Sequence, residues 1–123
     1  MEYLSDGWFE AANLALADLE LESGSLVIEQ RLTGAEPAVT YQLIIGSGRA
    51  HLSRVGDRGA DIVLTQSKST VHAVRSGSLS ALEAMQNGRI SIQGDPQRLI
   101  EWSAALAAID GLLRELDTGE LDI

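Results

Sequence analysis

From Ala81 to Ile100 the chain reads ALEAMQNGRISIQGDPQRLI, and few orders of secondary structure can accommodate it. Asn87-Gly88 follows an apolar-periodic stretch and is a helix stop, because Gly readily adopts the left-handed conformation that closes a last turn. RISIQ then alternates, with Ile90 and Ile92 on one side, as a half-buried strand does. Gly94-Asp95-Pro96 opens a new helix. Asp is favoured at the N-cap and Pro at the first helical position, where the amides lack intrahelical partners. The pattern is therefore helix, short strand, helix, and the rest of the chain has to supply the sheet that this strand joins.

SDGWFEAANLALADLEL places Trp8, Ala12, Leu16 and Leu19 at helical spacing, with Ser5 or Asp6 as N-cap, and Ser23-Gly24-Ser25 ends it. LVIEQRL alternates, with Leu26, Ile28 and Leu32 opposite Glu29 and Arg31. AVTYQLII repeats the pattern, Val39, Tyr41, Leu43 and Ile45 lying opposite Thr40 and Gln42. TGAEPA between them reads as a turn. IIGSGRAHL contains Gly-x-Gly, but His51 stands at the third glycine position of a dinucleotide-binding loop, and the chain beyond it alternates. A hairpin is the reading that fits. These three strands form an antiparallel meander with one polar face in water. After the loop VGDRG, ADIVLT gives a fourth strand. SKSTVHAVRSG and SLSALEAMQNG give two short helices, the second opened by a Ser80-x-x-Glu83 capping box. In the last helix Leu99, Trp102, Leu106, Ile109 and Leu113 make one continuous apolar stripe, widened by Ala105, Leu112 and Leu116.

The fold class expected is α+β: a five-stranded, mainly antiparallel sheet with helices packed on one face, in the order α-β-β-β-α-α-β-α. Residues 1–116 form a single domain and 117–123 a flexible tail. Leu26, Ile28, Leu43, Ile45, Ile90 and Ile92 point toward the helices, and Arg31, Gln42 and Arg89 away from them, since a slip of one residue would exchange the faces.

Charge narrows the partners. The net charge is −9, and the first 22 residues carry six acids and no base. From residue 99 onward there are six acids against Arg114 alone. This balance disfavours nucleic acid and anionic membrane surfaces. No apolar run reaches the roughly 18 residues of a membrane span, so stable membrane insertion is not expected. The acidic N-terminus is unlike a signal peptide, and the absence of cysteine fits a cytoplasmic protein.

Chemistry-bearing residues are sparse. His51 and His72, the two histidines, are not in a metal-ligand spacing and read as ordinary surface side chains. Asp61, beside apolar residues at a strand entry, is expected to bond to backbone. With Tyr41 it is also the pair an isomerase-like enzyme would use. No catalytic residue, metal site or cofactor is assigned.

Residues 60–95, ADIVLTQSKSTVHAVRSGSLSALEAMQNGRISIQGD, resemble the central block of the sterol carrier protein 2 (SCP-2) family. The resemblance is carried by Ala60-Asp61 before a strand, a short helix ending at Gly77, and Leu79. It continues through Ala84-Met85, Gly88-Arg89-Ile90, Ile92 and Gly94-Asp95. Met85-Gln86 replaces an aromatic pair common in the family, and the C-terminal Leu121-Asp122-Ile123 is not a peroxisomal targeting signal. Both features resemble a stand-alone bacterial-type member. The resemblance implies a lipid cavity between sheet and helices. The positions that would line it are Trp8 and Ala12 on the first helix, and Ile28, Leu43, Ile45, Leu64, Ile90 and Ile92 on strands. Val74 and Met85 on the short helices, and Leu99, Trp102, Ala105, Leu106 and Ile109 on the last helix, complete the set.

The function expected is therefore the binding and carriage of a hydrophobic lipid: a fatty acid, an acyl chain or a sterol-like molecule. The alternatives are a non-catalytic interaction or accessory domain, dimeric through the last helix or serving a partner enzyme, and a small isomerase. A solid core under the last helix would also be stable without ligand, at roughly 1.5–3 kcal/mol per large apolar side chain buried. Ala104, Ala105, Ala107 and Ala108 on that helix, with a single Phe in the chain, favour open space between layers.

Overall fold

The computed structural model describes residues 5–34, 39–54 and 59–121. Helix α1 (Asp6–Ala17) is followed by strands β1 (Leu26–Thr33), β2 (Val39–Gly46), β3 (Arg49–Ser53) and β4 (Ile62–Ser67). Then come α2 (Lys68–Arg75), α3 (Ala81–Gln86), β5 (Ile90–Gly94), α4 (Pro96–Glu101) and α5 (Ser103–Leu121). The five strands form a sheet in the order β3-β2-β1-β4-β5. The class is thus α+β with a five-stranded sheet, as expected, but four strands stand between the first helix and the two short ones, where the expected order had three. The turn at 33–38 and the loop at 55–59 fall partly outside the described residues. So do Ile123 and Asp122 of the tail, and the side chain of Leu116 in the apolar stripe.

The chain groups into two compact units: residues 1–26, 44–52 and 97–123, and residues 27–43 and 53–96. In the second unit β1 runs parallel to β4, with Ile28 opposite Ile62, and β4 runs antiparallel to β5, with Leu64 opposite Ile92. Period-2 alternation puts Ile28, Leu32, Ile62, Leu64 and Ile90 on one face, and all five are buried. Ile92, on the same face near the sheet edge, is half-buried. Helix α2 packs on β4 and α3 on β5. The caps follow the sequence. Ser67 Oγ accepts from the Thr70 amide at 3.1 Å, and Ser80 Oγ from the Glu83 amide at 3.0 Å. The Ser80 hydroxyl also donates to Glu83 Oε1 at 3.2 Å.

The passage through β5 explains the sequence from Asn87 to Gly94. The Arg89 amide donates to the Ala84 carbonyl at 2.8 Å and the Gly88 amide to the Met85 carbonyl at 3.2 Å. Gly88 has φ +74°. This is the paired bonding of a Schellman termination, and it closes α3 in one residue. At the far end Gly94 lies against the backbone of Asp61: a Cβ there would stand 2.4 Å from the Asp61 carbonyl oxygen. Asp61 in turn ties β4 to β1. Its amide donates to the Val27 carbonyl at 2.9 Å, and its Oδ2 accepts from the Val27 amide at 2.8 Å. The site is exposed, so Asp61→Ala is expected to cost about 1 kcal/mol. This would be read as a lower urea midpoint at unchanged slope.

The other face of these strands corrects the expectation of a polar surface in water. Gln42 is fully buried and Glu29 is 9% exposed. Gln42 Nε2 donates to Glu29 Oε1 at 3.2 Å, and Arg31 Nε to Glu29 Oε2 at 2.7 Å. A carboxylate can be buried when its oxygens are bonded in this way. Arg31 and Arg89 remain exposed as expected. The phase of β2 is not shifted, because Leu43 and Ile45 are buried as well. In this strand both faces are covered from Gln42 to Ile45.

In the first unit Ser5 caps α1, accepting from the Trp8 amide at 3.2 Å. Trp8, Phe9, Ala12 and Leu16 form the buried side of the helix. Between α1 and β3, Asn13 makes a two-point bond: its Oδ1 accepts from the Leu52 amide at 2.7 Å and its Nδ2 donates to the Leu52 carbonyl at 3.1 Å. Ser47 and Gly48, both with positive φ, turn β2 into β3 as a two-residue hairpin. The Gly-x-Gly is therefore a turn. Helix α5 packs on α1.

The final helix differs from the single uninterrupted one expected. It is divided at Trp102 into α4 and α5, although bonds from the Trp102 amide to Arg98 (3.2 Å) and from the Leu106 amide to Trp102 (2.9 Å) bridge the division. Helix α5 also runs on to Leu121, past the expected end at residue 116.

Candidate functional site

The apolar positions expected to meet a ligand fall into both units. In the first, Trp8 and Ala12 have no exposed surface, and Ile45 and Ile109 are almost as completely covered. Leu99, Trp102, Ala105 and Leu106, in contrast, are each half-buried, as are Leu112 and Leu113 further along α5. The apolar stripe of α4–α5 is thus closed at Ile109 and partly open on either side of it. The Trp102 ring lies over Gly24, its Cζ2 3.0 Å from where a Cβ would be. Beside it an Arg98 Nη2 donates to the Ser25 carbonyl. Together these contacts fix α4 and the start of α5 to the segment after α1.

In the second unit Ile28, Leu43, Leu64 and Ile90 are buried, and Val74, Met85 and Ile92 are half-buried. Two polar side chains stand on the same face as Ile28, Ile62 and Leu64. These are Gln30 of β1 and Gln66 of β4, with Gln66 Nε2 3.3 Å from Gln30 Oε1. The sequence reading passed over both. Their signal was a polar residue at an inward phase of two strands, Gln30 between Ile28 and Leu32, and Gln66 following Leu64 by two.

His51 and His72 are exposed. The Asp61 carboxylate is occupied by the Val27 amide, and Tyr41 is half-buried. Among the described residues no three metal-ligating side chains cluster, and no helix is long and apolar enough to cross a membrane.

The order of elements and the five-stranded sheet define a small α+β fold, with apolar residues on one strand face and along α1 and α5. The chain belongs to the SCP-2 sterol transfer family, whose sequence model matches residues 11–107. A conserved hypothetical protein of Thermus thermophilus shares the fold at a TM-score of 0.65 and 23% identity, over 94% of this chain and 90% of that one. A crystal structure of sterol carrier protein 2 matches at a TM-score of 0.65 and 22% identity, over 93% and 98%. Sterol carrier protein 2 like 2 of Aedes aegypti matches at 0.56 and 16%, over 84% and 93%. None of the curated proteins matches the sequence.

Proposed function

We propose that this protein binds and carries a hydrophobic lipid, such as a fatty acid, another acyl chain or a sterol-like molecule, in an apolar cavity. The half-buried stripe of α4–α5 forms part of the cavity wall. The observation that carries this reading is the contrast within one unit. Trp8, Ala12 and Leu16 of α1 have no exposed surface, whereas Leu99, Trp102, Leu106, Leu112 and Leu113 are left partly uncovered. Large apolar side chains in a filled core are normally covered, and apolar surface left open inside a fold is what a lipid replaces. Membership in a sterol transfer family supports the same reading.

The test is Ala105→Trp, measured for melting temperature and dodecanoic acid binding together. In a filled interior the added bulk overpacks and costs about 1–3 kcal/mol. In an open cavity it leaves stability unchanged and blocks the acyl chain. We expect the melting temperature to hold and binding to be lost. In the parent protein, acyl-chain binding should shift tryptophan emission, and Trp102→Phe should abolish that shift. A marked fall in stability with binding unchanged would place the site away from α5.

A further inference from the structure

We propose that the outer edge of β5 is a self-recognition surface, which takes the β5 of a second copy of this chain in antiparallel pairing centred on Ile92.

Strand β5 ends the sheet on the side away from β3. Its inner side is paired with β4, from Ile90 opposite Gln66 to Gly94 opposite Ile62. Among the described residues no strand lies on its outer side. Arg89, Ser91, Gln93, Gly94 and Asp95 are all exposed. Such an edge presents backbone amides and carbonyls that a further strand can complete. The surface is contained in one compact unit, that of residues 27–43 and 53–96.

What selects a second copy is the sequence from Arg89 to Asp95, RISIQGD. Two antiparallel copies centred on Ile92 set Ile92 opposite Ile92, Ser91 opposite Gln93, Ile90 opposite Gly94 and Arg89 opposite Asp95. The two-fold axis repeats each unlike pair on its other side. Residues opposite each other in an antiparallel pair share a face and touch. On one face the cation of each copy therefore meets the anion of the other, with the polar Ser91 and Gln93 between. On the other face the two Ile92 side chains meet. Ile92 is half-buried where Ile90 is buried, so it is the inward position of β5 with apolar surface still to cover. A register moved by two residues sets Arg89 against Gln93 or Gln97 and loses the charge pair. A slip of one sets Ile92 against Ser91 or Gln93. Net charge also permits the approach. The unit that carries β5 has six acids and six bases, so the chain's net charge of −9 resides in the other unit.

Sedimentation velocity of the full chain, from about 1 µM to about 1 mM, is expected to show a monomer–dimer equilibrium. The dimer depends on concentration because each copy contributes one strand of five residues. Arg89→Glu sets acid against acid on both sides of the axis and should raise the dimer Kd at least about tenfold. Asp95→Arg sets base against base, with the same result. Mixed in equal amounts, the two variants should form a heterodimer about as tight as the parent dimer, because each supplies the charge the other lacks. Circular dichroism checks that both fold. If Asp95→Arg does not, Ile92→Cys replaces it: the chain has no cysteine, and mild oxidation should join two copies through the residue on the axis. The control Ser103→Cys, exposed on α5, should not cross-link. A parent that stays monomeric at the highest concentration would exclude a second copy as the occupant of this edge and overturn the proposal. So would a dimer indifferent to Arg89→Glu, which would have to form through another surface such as the last helix. Folded variants that fail to associate when mixed, or an Ile92→Cys protein that does not cross-link, would overturn it as well.

Discussion

Gly94→Ala is expected to lose at least about 3 kcal/mol of stability. The new methyl carbon would stand 2.4 Å from the Asp61 carbonyl oxygen and 3.2 Å from Ile62 Cα, and both are backbone atoms. Rotating a side chain cannot relieve the contact. Gly94 is paired with Ile62 in the sheet, so the end of β5 would have to separate from β4. The φ of +110° at Gly94 adds strain for any L residue. Gly88→Ala is the internal comparison. It also places Ala at a positive φ, but with nothing within 4 Å, and should cost only about 1 kcal/mol. Chemical denaturation of the two variants side by side checks the difference. A loss at Gly94 no larger than at Gly88 would mean that the Asp61–Gly94 approach can relax freely.

Trp8→Ala is the second large effect, about 3–5 kcal/mol. Trp8 has no exposed surface and meets Phe9 edge-on, with ring centroids 5.2 Å apart and planes at 85°. Its removal leaves a void that α1 cannot close, since Ala12 and Leu16 on the same side of the helix are themselves fully covered. Trp102→Ala removes an equally large ring from a half-buried position and should cost clearly less. Thermal unfolding monitored by circular dichroism compares the two. Similar losses would show that Trp102 is as tightly enclosed as Trp8, which would count against an open space beside it.

What could be read from the sequence was local. Gly88, Gly94 and Ser80 act within a few residues of where they stand, through φ angles and cap bonds, and each is where the pattern put it. The inward phases of β1, β4 and β5 were legible for the same reason, because alternation is a property of a single strand. The burial of Gln42 with Glu29 was not. Both look like water-facing residues until β1 and β2 are known to be interior strands of the sheet. The parallel pairing of β1 with β4 joins residues 34 positions apart, and no local signal specifies it. The division at Trp102 was hidden because the apolar spacing runs through it without a change. Of the candidate site, the apolar residues were legible as a list, but their degree of closure was not. The sequence does not distinguish Trp8, which is sealed, from Trp102, which is partly open. Gln30 and Gln66 escaped notice because a polar residue at an inward phase has meaning only beside its cross-strand partner.

The amide of Asn13 has a consequence for how copies of this protein meet. Strand β3 is at the margin of the sheet, where unpaired amides and carbonyls can recruit a strand from another molecule. At Leu52 that position is already taken: one side chain presents an acceptor and a donor in the arrangement a neighbouring strand would offer. A foreign strand could pair there only by displacing both bonds at once. Helix α1 therefore protects the chain against edge-to-edge aggregation at this margin, with a single carboxamide standing in for a sixth strand.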